Sequence, residues 1–134
     1  MKLNRVGVWV DHRQAFIIRP GEGGDGAVAV LKSDAERQSV RAGDRERGPY
    51  EPLQQQADNV RQRKYTAELN QYYDRVIAEI GGAEELLIFG PGEAPGELRR
   101  RLSEHDFGGV RIGVEQADQM TQNQMLAHVR GADL

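Results

Sequence analysis

The sequence predicts an α/β domain built on a mixed five-stranded sheet, and three observations carry that expectation. Apolar runs of strand length come first, at Arg5 to Val10, Gln14 to Arg19 and Ala27 to Lys32, separated by short polar or glycine-rich turns. A segment with helical period follows from Val60 to Ile80. Beyond it, strand-like runs alternate with helical ones, the arrangement that gives parallel strands joined by crossover helices.

In the first run Val6, Val8 and Val10 alternate with Gly7 and Trp9, and β-branched residues at period two argue for a strand. Asp11-His12-Arg13 is polar enough to turn it. The short gap before QAFIIR makes the second run an antiparallel partner. Pro20 to Gly26 is a glycine-rich turn, and AVAVLK completes a three-stranded meander. Ser33 to Asn59 mixes charges of both signs with Gln54-Gln55-Gln56, glycines and prolines. It has no sustained period and reads as a long exposed loop.

The helix after it places Tyr65, Leu69, Tyr72, Val76 and Ile80 on one stripe, with Tyr73 and Ile77 beside it, and Gly81-Gly82 ends it. Leu86 to Phe89 is apolar throughout, as a strand covered on both faces should be. Gly90-Pro91-Gly92 stops that strand. Pro95 suits a first helical position, because its fixed φ fits and its missing N–H costs nothing there, and Glu97 to Leu102 continue the helix. Ser103 to Gly109 connects to a fifth strand, Val110 to Val114. Thr121 caps a last helix that carries Met125, Leu126 and Val129. The order β-β-β-α-β-α-β-α is that of the ribonuclease H-like architecture.

A length of 134 residues corresponds to a single domain with a single core. The net charge of -3 gives no support to non-specific nucleic-acid binding, so any such role needs a local basic patch. The absence of cysteine excludes disulfides and thiolate chemistry. The first residues, MKLNRVGVWVDHR, hold no apolar run of signal-peptide or membrane-span length, so the expected setting is the cytoplasm, away from membranes.

GVWVDHRQAFII, YYDRVIAEI and LLIFGPGEAPGEL together resemble the middle domain of archaeal and eukaryotic translation release factors and of the related ribosome-rescue factor Pelota. They are most similar to short bacterial release-factor-like, or translational machinery, proteins built from that domain. The resemblance runs from about Arg5 to Arg130 and is most specific at Gly90 to Leu98. It implies a partner in the ribosome or RNA and no cofactor. In the bacterial pattern a lysine usually stands where this chain has Pro95, so an anion contact by such a lysine is absent here. In the release factors the loop after the third strand carries a Gly-Gly-Gln tripeptide that hydrolyses peptidyl-tRNA. The corresponding Ser33 to Asn59 contains none, and Gln54-Gln55-Gln56 lacks the glycines whose backbone freedom a substitute needs. The resemblance therefore implies a non-catalytic, ribosome- or RNA-associated protein.

Basic residues mark the candidate contacts: Arg37, Arg41, Arg45 and Arg47 in the long loop, Arg61, Arg63 and Lys64 at the helix start, and Arg99, Arg100 and Arg101 after the central turn. Acidic neighbours in the loop nearly cancel its charge, so a solvated mixed-charge loop is the competing reading. Gly90 and Gly92, between the central strand and its helix, stand where α/β sheets bind anions, although a purely structural strand-to-helix turn is the preferred reading of them. An alternative reading makes Asp11, with Glu93, Glu115 and Asp118, the carboxylates of a Mg²⁺-dependent nuclease or phosphoester hydrolase, against which Asp11 can simply fix the DHR turn. Another alternative is a protein-interaction module acting through a sheet edge or the loop. His12, His105 and His128 lack metal-site spacing and read as solvated, so no metal is expected. Tyr65, Tyr72 and Tyr73 read as core before they read as a base-stacking platform.

Overall fold

Among the described residues eight elements follow one another: β1 (Arg5–Val10), β2 (Gln14–Pro20), β3 (Gly26–Lys32), α1 (Glu51–Glu79), β4 (Glu85–Gly90), α2 (Ala94–Leu102), β5 (Arg111–Gln116) and α3 (Gln122–Gly131). The computed structural model describes residues 4–21, 26–33, 51–105 and 107–134. The strands form one sheet in the order β3-β2-β1-β4-β5. β1 pairs antiparallel with β2 and β2 with β3, whereas β4 lies parallel to β1 and β5 parallel to β4. This is the mixed five-stranded α/β arrangement that the sequence predicts.

Alternation along each strand sorts side chains into two cores. Val6, Val8, Val10, Ala15, Ile17, Leu86 and Ile88 face α1 and α2, where they meet Tyr72, Val76, Ile80 and Leu98. Trp9, Ile18, Leu87 and Phe89 face the other way, onto Met125 and Val129 of α3. The central strands β1 and β4 are therefore covered on both faces, which explains why Leu86 to Phe89 carries no polar residue. Gly7 lies under α3: a Cβ there would sit 2.2 Å from a methyl of Val129, so a hydrogen lets the helix reach the sheet.

α1 corrects the expected loop. Residues 51–59 are helix, while residues 34–50 lie outside the described residues. Twenty-nine helical residues span about 43 Å at 1.5 Å each. Strands of six or seven residues span about 20 Å. The first half of α1 thus extends past the sheet, and Val60 is 54% exposed. An apolar stripe records packing and not helix formation, so a stretch of sequence without that period can still be helix. Pro52 fits because it falls in the first turn, where its missing N–H is no loss.

Short polar devices hold the ends. Thr121 caps α3 with a reciprocal pair of bonds: its Oγ1 accepts from the Gln124 N–H, and the Gln124 side chain accepts from the Thr121 N–H. At the other end of α3, Arg5 donates to the carbonyls of Val129 (2.9 Å) and Ala132 (2.7 Å) while its Nε pairs with Glu85 Oε1 at 3.1 Å. A cation at a helix C-terminus complements the dipole. Among the described residues no helix is long and apolar enough to cross a membrane.

Candidate functional site

Asp11 ends β1 and fixes the turn into β2. Its Oδ1 accepts from the backbone N–H of Arg13 and of Gln14, each at 2.8 Å, and its carbonyl accepts from the Tyr72 hydroxyl at 3.0 Å. The Asx reading of this residue is the one its geometry matches. Glu115 pairs with His128 at 2.7 Å, and the Asp118 carbonyl accepts from Trp9 Nε1 at 3.1 Å. Glu93 precedes α2 without a side-chain capping bond. Among the described residues no three His, Asp or Glu side chains gather as a group able to hold a metal ion.

Directly after Asp11, His12 brings Nε2 to within 2.9 Å of Glu97 Oε1, in the first turn of α2. The same oxygen accepts from the Tyr73 hydroxyl at 2.7 Å. Burial, and then the bond to Glu97 and its charge, push the Tyr73 phenol far above its ordinary range. Tyr73 is thus a fixed donor. Burial likewise raises Tyr72, with the charge of Asp11 adding to it. Both rings are buried, as core side chains should be.

At the far end of α2 the Arg101 guanidinium grips Asp74 of α1 with two bonds, Nε to Oδ1 at 2.8 Å and Nη2 to Oδ2 at 2.9 Å, and reaches Glu104 at 2.7 Å. His105 stands 3.2 Å from the same Asp74 oxygen. The hydrogen bond from Arg101, more than any other cause, holds the Asp74 carboxyl below its usual range. Between these two polar clusters lies a groove of about 320 Å³, walled by Tyr65, Thr66 and Asn70 of α1 and by Glu97 and Arg100 of α2.

The predicted basic residues separate accordingly. Arg63, Lys64, Arg99 and Arg100 are exposed, and Arg61 is partly exposed. Arg101 is occupied by Asp74 and ties α2 to α1, so its guanidinium is not an open phosphate contact. Arg37, Arg41, Arg45 and Arg47 lie outside the described residues. Gly90 and Gly92 bind protein: their carbonyls accept from the Ala117 N–H (2.9 Å) and the Gln116 side chain (2.7 Å). Gly90 adopts φ +146°, and a Cβ there would lie 2.2 Å from the Val10 carbonyl oxygen. All three histidines, expected to be solvated, pair with carboxylates of other elements. Glu97, Asp74 and the Tyr73 hydroxyl went unsuspected, because each acts across 24 residues or more of chain.

No family model and no curated protein matches this sequence. A solved structure does match. The fold resembles that of Pelota. The likeness is to the crystal structure of the Thermoplasma acidophilum Pelota protein, with a TM-score of 0.56 and 16% identity. It covers 98% of this chain and 33% of that one, so this chain spans about a third of Pelota's length. At that identity the likeness is one of fold.

Proposed function

We propose that this chain is a release-factor-like domain that works in translation by contacting the ribosome or RNA, and that it does so without hydrolysing peptidyl-tRNA. The observation that carries the reading is the fold likeness to Pelota along 98% of the chain. The sequence resemblance at Gly90 to Leu98 points the same way. On this reading the protein acts in the cytoplasm, and its place among the bacterial release-factor-like proteins is part of the proposal.

The exposed cations Arg63 and Lys64 on α1 and Arg99 and Arg100 on α2 supply the phosphate contacts. They act as a local patch, since the whole chain carries -3. Arg101 serves indirectly, by holding α2 against α1. No Gly-Gly-Gln occurs in the chain, so binding and not hydrolysis is the activity assigned. The Mg²⁺-dependent alternative gains nothing from the geometry around Asp11, whose Oδ1 is engaged by its own turn.

Sedimentation through sucrose gradients tests the reading. Wild-type protein is expected to travel with ribosomes at low salt. It should be released at high salt, because phosphate contacts displace counterions that added salt restores. An Arg99→Ala, Arg100→Ala double variant should be released at lower salt. Protein that stays at the top of the gradient under every condition would overturn the proposal.

A further inference from the structure

The groove between α1 and α2 has a chemistry of its own. Three of the charged groups beside it are already engaged: Arg101 and Glu104 with each other, Arg101 also with Asp74, and Glu97 with His12 and Tyr73. Arg100 makes no ion pair among the described residues and is exposed at the groove wall. Arg100 is therefore the one cation on the groove wall, among the described residues, left without an ion pair, and it can take a single anionic group. The rest of the lining includes an aromatic ring, Tyr65, half-buried and edge-on to His12 at 6.5 Å, and Gln62, Thr66 and Asn70, whose side chains both donate and accept, over a floor of Leu69 and Tyr73.

Size narrows the choice. About 320 Å³ is at the small end of the range for ligand sites, roughly 300–1,000 Å³, enough for one ring system and not for an extended molecule. A flat ring to set against an aromatic, a polar edge for amide side chains and one phosphate for an arginine are the three parts of a nucleotide. Unpaired bases in RNA are held in this way, by stacking and by hydrogen bonds to their edges. We infer that the α1–α2 groove receives one unstacked nucleotide of a single-stranded RNA, its base beside Tyr65 and its phosphate on Arg100. This rests on the RNA-contact reading and sharpens it, because exposed arginines alone would bind any phosphate backbone.

Fluorescence anisotropy with a labelled six-adenylate RNA, and with an abasic strand of equal length, tests it. Thr66→Trp fills the groove from an exposed helix position, and Gln62→Ala removes an edge contact with no added bulk. The expected result is that wild type prefers the adenylate strand by about fivefold or more, the worth of one stacked base. Thr66→Trp should remove that preference and Gln62→Ala should reduce it, while binding of the abasic strand stays unchanged. If both strands bind equally well and neither variant matters, the groove is overturned while the RNA reading stands. If no RNA binds but adenosine monophosphate shifts the Thr66 and Asn70 amides in an NMR titration, the groove takes a free nucleotide and the strand assignment falls, together with direct RNA contact. If nothing binds, the groove proposal falls, and the gradient experiment alone decides the ribosome contact.

Discussion

Asp74 shows how a single carboxylate joins two helices and what that costs in acid. Its folded-state ionisation lies below the ordinary value of 3.8, chiefly because Arg101 hydrogen-bonds the charged form. The stabilisation is therefore present above that value and is lost as the pH falls through the lower, folded-state one. Side chains 38% and 27% exposed are screened by water, so the pair is worth less than about 1 kcal/mol. Urea unfolding of wild type and Asp74→Asn should differ at neutral pH and converge as the pH drops below about 3.8. A difference that persists unchanged into acid would mean that packing, not charge, is what the substitution disturbs. Such pairs were not legible in the sequence. Arg101 reads there as one of three adjacent basic residues, and nothing local reveals an aspartate 27 positions earlier. His12 and Glu97 are 85 positions apart and equally silent.

The turn between β4 and α2 is the element whose backbone is least replaceable. Gly90 combines positive φ with a carbonyl of β1 where a Cβ would go, so Gly90→Ala should cost more than about 3 kcal/mol and in urea should lower the midpoint steeply. Gly96, six residues on, sits inside α2 with nothing within 4 Å of its missing Cβ. There alanine should add about 0.5–1 kcal/mol through helix propensity alone. Equal effects of the two substitutions would contradict this account. Elements were the most legible level: the strands fall within a residue or two of their apolar runs, and Thr121 caps α3 as expected. The failure was the start of α1, where the sequence offers no apolar stripe although residues 51–59 are helix. In the candidate site the same limit applies. The basic residues of the site were visible by type, but which of them remain open depends on partners from other elements.

Across the whole molecule, Arg5 connects the first strand to both the sheet centre and the end of the last helix. Arg5→Ala would strand the buried Glu85 carboxylate opposite it and uncap α3, and should cost about 3 kcal/mol. Adding Glu85→Gln should recover part of that loss by removing the orphaned charge. Amide exchange in α3 is the readout, rising in the single variant and falling back in the double. No such recovery would place the effect in the helix cap alone. The parallel pairing of β1 with β4 has one more consequence, for the order in which a growing chain can fold. Val10 leaves the translating ribosome about 75 residues ahead of Glu85, a delay of roughly 4–15 s at 5–20 residues per second. For that interval Val6, Val8 and Trp9 have no neighbour on their second edge, so the nascent chain waits with its central strand half-paired, open to chaperones and to proteolysis until β4 arrives.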